Sequence, residues 1–253
     1  MNLFSLKGRQ ALVTGSGRGL GLRIAEGLAE AGAAVVINDV DAGRADAAMR
    51  TLQAKGYPAR TALFDVTDRT GVQAAVRALE EAAGPVDILV NNAGIHRYGP
   101  LLELDPAKWQ EVIDVNLTGA FLTAQAVAAG MVARGRGKII NICSLMSEAG
   151  RPTTGGYTAA KGGLKMLTKA MAVEWARHNV QANGIGPGYI LSDMTAHLAA
   201  KPEFDQWVKN RTPAARWGTP DDLVGAAVFL AAPASDFVNG QILYVDGGLL
   251  AAL

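Results

Sequence analysis

Tyr157 and Lys161 stand four residues apart in a stretch patterned as a helix, so their side chains share one face. A phenol titrates near 10, and one acting as a base near neutrality needs a value near 7–8, roughly 3–4 kcal/mol of differential stabilisation. A neighbouring ammonium favours the phenolate. Ser144, 13 residues before the tyrosine, ends an apolar strand-like run and offers a hydroxyl to hold a reacting oxygen. Alone, Tyr157 and Lys161 read as an ordinary amphipathic helix pair. With Ser144 and a nucleotide loop they read as a proton-transfer site.

That loop is Thr14-Gly15-Ser16-Gly17-Arg18-Gly19-Leu20-Gly21, between the first strand-like run and the first helical one. Glycines there let the backbone turn sharply and approach a ligand, and free N–H groups at a helix start attract a pyrophosphate. Asp39 closes the second apolar run, where an acid about 20 residues past the glycines accepts hydrogen bonds from ribose hydroxyls. A 2′-phosphate there would meet a like charge, which favours NAD. Arg18 could pair with that phosphate, so NADP stays open.

The elements that must position these groups follow from hydrophobic patterning. Residues 11–14, 34–38, 61–64, 88–91, 138–143, 180–185 and 242–245 read as seven short strands, several apolar on successive residues as in a sheet covered on both faces. Helical patterns occupy 20–31, 42–54, 70–83, 109–133, 157–178 and 221–231. The alternation predicts an α/β fold: a single doubly wound Rossmann-type domain over 1–253, about seven parallel strands with helices on both faces. Residues 190–218 are less regular and are expected to form a helical insertion on the substrate side. Thr219-Pro220-Asp221-Asp222 reads as a capped helix start rather than an acid pair for catalysis. His178-Asn179 reads as a helix end, with Asn179 left-handed.

Composition narrows the function. The chain has 253 residues, 49% hydrophobic, and a formal charge of +1, which excludes a disordered chain and gives no basic face for nucleic acid. The single cysteine, Cys143, excludes an intrachain disulfide and a cysteine-cluster metal site, and its apolar run marks it as a buried hydrophobe rather than a nucleophile. The uncharged run 115–133 contains Asn116, Thr118, Thr123 and Gln125 and reads as a buried helix, not a membrane span. Residues 1–10 hold no secretory apolar stretch, so a soluble cytoplasmic protein is expected.

Seven markers in order resemble the short-chain dehydrogenase/reductase family: the loop 14–21, Asn91-Asn92-Ala93-Gly94, Asn116, Ser144, Tyr157, Lys161 and Pro187-Gly188. The resemblance spans essentially the whole chain. It implies a metal-free hydride transfer in which Tyr157 is the general acid/base, Lys161 lowers its pKa and binds the nicotinamide ribose, Ser144 steadies the alcohol or carbonyl oxygen, and Asn116 supports a proton-relaying water. It implies cofactor contacts from Gly15, Arg18, Gly19, Leu20, Gly21 and Asp39. Asp65 and Val66 would meet the adenine, Asn92, Ala93 and Gly94 the middle of the cofactor, and Pro187, Gly188, Ile190 and Ser192 the nicotinamide end. A homotetramer is also implied, with 115–133 and the tail 249–253 as candidate interfaces.

A narrower resemblance is to the gluconate 5-dehydrogenases, or 5-keto-D-gluconate reductases. It is carried by 141–144, Ser147-Glu148, 176–179, 211–218, 225–230, 235–240 and the opening Leu3-Phe4-Ser5-Leu6. A sugar acid needs a cation for its carboxylate and polar groups for its hydroxyls, and His96, Arg97, Glu148 and Arg151 are the candidates near active-site loops. His96-Arg97-Tyr98 and 152–156 depart from the pattern common in that group. Reduction of another ketone, such as a 3-oxoacyl thioester or a cyclic alcohol partner, and a nucleotide-binding regulator without turnover are the competing readings.

Overall fold

In the computed structural model, which describes residues 3–252, seven strands form one parallel sheet. They are β1 (Gln10–Val13), β2 (Ala34–Ile37), β3 (Ala59–Thr61), β4 (Ile88–Asn91), β5 (Gly137–Ile142), β6 (Val180–Pro187) and β7 (Ile242–Val245). Their spatial order is β3-β2-β1-β4-β5-β6-β7. The chain leaves β1 toward β2 and β3, then returns to place β4 on the other side. The order therefore reverses at β1/β4, where a crevice opens at the carboxyl ends of the strands.

Alternate residues of each central strand feed opposite faces. Ala11, Val13, Ile88, Val90 and Ile140 face a core shared with α1 (Gly19–Glu30), α2 (Ala42–Ala54) and α9 (Val224–Ala231). Leu12, Leu89 and Ile139 face a second core with α3 (Arg69–Ala83), α5 (Gly119–Arg134) and α6 (Gly155–Trp175). Burial on both faces is why these strands are apolar on successive residues. The uncharged run within 115–133 is accounted for by this packing: Ala124, Val127, Ala128 and Met131 of α5 all enter the second core.

Two elements differ from the sequence expectation, and the insertion matches it. The third strand pairs only over Ala59–Thr61, because β2 ends at Ile37 opposite Thr61. The carbonyls of Ala62 and Phe64 instead accept hydrogen bonds from the Asn38 side chain, both at 3.0 Å. The expected helix over 109–133 begins earlier, as α4 (Pro106–Ile113), and is broken by a π-turn at Asp114–Thr118 before α5. The insertion over 190–218 carries α7 (Ala196–Ala199) and α8 (Pro202–Arg211). The two terminations expected from local chemistry are present: Thr219 and Asp222 form a reciprocal capping box, and Asn179 has φ +56°. Of the expected interface tail, Leu253 lies outside the described residues.

Candidate active site

The loops after β1 and β4 are sewn together at the point where strand order reverses. The Thr14 hydroxyl accepts from the amides of Asn92 and Ala93 at 3.0 and 3.1 Å. The Asn92 side-chain amide donates to the carbonyls of Thr14 and Gly15 at 2.9 and 3.0 Å. Gly15 has φ +61°, and a Cβ there would lie 2.9 Å from the Ala93 Cα, so only glycine fits. At the start of α1 the N-cap residue Arg18 supplies no side-chain cap, which leaves the first-turn amides to an anionic ligand.

One elongate cavity of about 720 Å³ runs from this loop across the carboxyl ends of the strands. Gly15, Arg18, Gly19, Leu20, Gly21, Asp39, Asp65, Val66, Asn92, Ala93, Gly94, Pro187, Gly188, Ile190 and Ser192 all line it, with Asn116, Ser144, Tyr157 and Lys161. Its volume suits a dinucleotide and a small substrate together. A Cβ on Gly17 would come within 2.5 Å of the Asp39 Oδ2, so the glycine keeps the approach to that carboxylate open. The donor set therefore fits a dinucleotide: free amides for phosphates, an acid where a ribose belongs, and hydroxyl and amine groups at the opposite end.

Asp39 is only 7% exposed, yet it is not a lone acid. Arg44, in the first turn of α2, pairs with it, Nη2 to Oδ1 at 2.7 Å. Burial alone would push the Asp39 carboxyl up, but the Arg44 guanidinium and the Asp41 amide outweigh it and hold the group below its ordinary range. Arg18, which the sequence offers as the phosphate partner, pairs instead with Asp193 of the insertion at 3.3 Å. Arg44 is thus a cofactor-end cation that sequence reading missed. Its signal was present, since Asp41 as an N-cap places Arg44 one turn on and beside Asp39.

At the other end, Tyr157 and Lys161 rise from α6 against the end of β5, where Ser144 starts a short 3₁₀ turn over Leu145–Ser147. Lys161 is 3% exposed; its Nζ donates to the Ile142 carbonyl at 2.6 Å and lies 5.6 Å from the Tyr157 ring centre. The sequence reading expects the ammonium to depress the phenol. In the structure burial dominates both groups: it pushes Tyr157 up to about 12, against an opposing hydrogen bond with Ser144, and pulls Lys161 down to about 8. The phenol therefore holds its proton at neutral pH and is poised as an acid.

Asn116 sits within the π-turn, 1% exposed, its Nδ2 donating to the carbonyls of Ile95 and Val112, both at 2.9 Å. Its Oδ1 is buried without a protein partner. The π-turn re-aims this side chain away from the register a straight helix would impose. Asp65 binds the Thr67 amide and hydroxyl through Oδ1, both at 2.8 Å. Ser192 is held by Thr195, another group not singled out from sequence, whose hydroxyl accepts from the Ser192 amide at 3.0 Å and donates to the Ile190 carbonyl at 2.6 Å.

The four substrate-side candidates separate. His96 stacks on Tyr157 with ring centres 4.7 Å apart and on Tyr98 at 3.7 Å. Burial first, then the charges of Arg151 and His197, lower it to about 4, so it is neutral. Arg97 borders the cavity but its Nε is taken by Glu111 at 2.8 Å. Arg151 lines the cavity beside Tyr98 and Tyr189. Glu148 does not line it: its Oε1 accepts from Lys165 Nζ at 2.5 Å and Tyr244 Oη at 2.8 Å, because the 3₁₀ turn after Ser144 carries it past the cavity toward α6 and β7.

Comparison with known proteins agrees with this geometry. Residues 15–250 match the family model described as enoyl-(acyl carrier protein) reductase. The chain is 52% identical over 252 residues to the gluconate 5-dehydrogenase of Gluconobacter oxydans (strain 621H), covering 100% of this chain and 98% of that one. It is equally 52% identical over 252 residues to the 5-keto-D-gluconate 5-reductase of Escherichia coli (strain K12), covering 100% and 99%. The solved structure of a gluconate 5-dehydrogenase from Burkholderia cenocepacia J2315, in complex with NADP and tartrate, is similar with a TM-score of 0.98 at 53% identity, covering 100% of this chain and 99% of that one.

Proposed function

The chain belongs to the short-chain dehydrogenase/reductase family and is an oxidoreductase of that family, and from that premise we propose that it interconverts a secondary alcohol and a ketone of a sugar acid, D-gluconate and 5-keto-D-gluconate first. The observation that carries this reading is the meeting of the Ser144 and Tyr157 hydroxyls and the Lys161 amine at one end of a cavity whose other end is a glycine loop and a ribose-facing acid. Full-length relatives named for this sugar acid favour it over acyl thioesters.

A bound nicotinamide dinucleotide supplies or accepts the hydride. In the reducing direction, the Ser144 and Tyr157 hydroxyls hold the substrate oxygen, and the Tyr157 proton passes to it as negative charge develops there. Burial keeps that proton on the phenol at neutral pH, so it is in place to pass to the more basic oxygen that develops on hydride addition. Lys161, whose Nζ is held by the Ile142 carbonyl, stands beside the phenol to restore charge balance. Asn116, anchored through its Nδ2, leaves its Oδ1 to accept from a proton-carrying water. In the oxidising direction burial opposes phenolate formation, and the Lys161 ammonium 5.6 Å from the ring centre offsets part of that cost.

The cofactor is NADP with NAD also accepted: Arg44 offers the guanidinium a 2′-phosphate needs, Asp39 offers the acceptor a 2′-hydroxyl needs, and the two are already paired. The Burkholderia cenocepacia relative was solved with NADP. This supports a shift from the NAD preference that Asp39 alone suggested. A cytoplasmic homotetramer completes the reading, supported by the exposed apolar Phe121 on α5 and Met166 and Val173 on α6. The deciding experiment measures oxidation of NADPH and NADH with 5-keto-D-gluconate against an acetoacetyl thioester. Turnover of the sugar acid is expected; turnover of the thioester alone, or background rates with every ketone, overturns the reading.

A further inference from the structure

Four arginines border the cavity: Arg18, Arg44, Arg97 and Arg151. Three have acid partners: Arg18 with Asp193 at 3.3 Å and Arg44 with Asp39 at 2.7 Å, both at the glycine-loop end far along the cavity from Tyr157, and Arg97 with Glu111 at 2.8 Å. Arg151 has no carboxylate partner among the described residues. What surrounds it is uncharged: its guanidinium carbon lies 5.0 Å from the Phe204 ring centre and 6.0 Å from that of Tyr98. The Tyr98 and Tyr189 phenols stand close enough for the guanidinium to oppose the rise that burial imposes on them. Aromatic faces and phenol oxygens orient a guanidinium but leave its charge uncompensated.

The position of that charge relative to the reacting groups is set by stacked rings. Tyr98 stacks on His96, and His96 on Tyr157. His197 of α7 meets the Tyr98 ring edge-on at 5.5 Å. Arg151 therefore stands at the outer end of an aromatic stack whose inner end is the phenol that transfers the proton. His96, being neutral, is not a second cation, and Lys161 is committed to the Ile142 carbonyl. A substrate with an anionic end several carbons from its reacting carbon would lie along this stack.

We propose that Arg151 receives the carboxylate of the substrate and is the residue that selects acids over neutral ketoses. The inference rests on the sugar-acid reading above and names, within it, the residue that reads the acid. Arg97, the other candidate, has its Nε held by Glu111 and its Nη1 by the His96 carbonyl.

The test pairs an acid with its neutral counterpart. Arg151→Gln and Arg151→Lys are compared with the wild type using 5-keto-D-gluconate and its primary amide, and tartrate binding is titrated calorimetrically as a readout independent of turnover. Losing a charge-assisted fork should raise KM for the acid about 10- to 100-fold. The amide KM should stay nearly unchanged, which also shows that the variant is folded. Arg151→Lys, with charge but no fork, should fall between. Tartrate affinity should drop in Arg151→Gln. Equal effects on acid and amide, no effect on the acid, or a rise produced by Arg97→Ala in place of Arg151→Gln each overturns the proposal. Should the wild type reduce no sugar acid at all, the functional reading fails by itself. The anion site is then judged on tartrate alone, with unchanged affinity in Arg151→Gln overturning it.

Discussion

Replacing Lys161 with methionine should remove a pH dependence from the stability of the fold. The amine is 3% exposed, donates to one carbonyl, and has no carboxylate paired with it among the described residues. Burial lowers its pKa from 10.5 to about 8. In the unfolded chain it keeps its proton up to the ordinary value, so between these two values the unfolded state binds more protons and stability rises with pH. The buried charge costs the fold about 3 kcal/mol at pH 7 and about 1 kcal/mol at pH 10, a gain of about 2 kcal/mol across the window. Methionine has no titratable group. Its loss of the hydrogen bond to Ile142 costs roughly 1–3 kcal/mol, but equally at every pH. The quantity to measure is the unfolding free energy of wild type minus variant, from urea titrations at pH 7, 8, 9 and 10. It should rise by about 2 kcal/mol from pH 7 to pH 10, with turnover lost throughout in the variant. A flat difference would mean that the amine keeps its ordinary proton affinity, and the claim that a dry pocket governs the Tyr157–Lys161 pair would fall.

Tyr157→Phe removes the proton donor alone, so kcat should drop about 10²- to 10⁴-fold. Cofactor dissociation constants should barely move; a large loss of cofactor binding would contradict the role given to the phenol. Asp39→Ala should raise the NADP-to-NAD affinity ratio and Arg44→Ala should lower it, each by about tenfold or more, as read by fluorescence titration of both cofactors. An unmoved ratio in both variants would remove the pair from the ribose. Gly94→Ala would bring a methyl within 2.6 Å of the Asn116 Oδ1. It should cost about 1–3 kcal/mol of stability and lower kcat, and wild-type values in both would show that the amide of Asn116 is free to move.

Most of the framework was legible in the chain. Apolar runs of strand length alternating with helical periodicity suffice for a parallel sheet, because both faces of each strand must be covered. The glycine loop, the Thr219–Asp222 cap and the Asn179 terminus are local devices, and local devices are written in neighbouring residues. Most residues expected at the cofactor end came from the family resemblance rather than from local patterning, and they do line the cavity, though Arg44 was not among them.

What the chain could not display were quantities that belong to neighbours from distant segments. Helical periodicity carried straight through Asp114–Thr118, and only packing revealed the π-turn that aims Asn116. A four-residue spacing placed Tyr157 beside Lys161 but left unstated how dry the site is. Desolvation, contributed by many elements at once, pushes the phenol up in the protein alone, whereas the expected lowering drew on both the ammonium and an oxidised nicotinamide. Charge pairing was likewise out of reach. Arg97 and Arg151 are alike as sequence, and Glu148 reads as a third polar candidate. Yet Glu111 of α4 pairs with one arginine, Lys165 and Tyr244 hold the acid outside the cavity, and the rings of Phe204, from the insertion, and Tyr98, after β4, flank the arginine left without an acid. Sequence determined which groups exist and which strand ends they follow; tertiary structure decided which of their charges stay uncompensated, because compensation depends on distance through space and not along the chain.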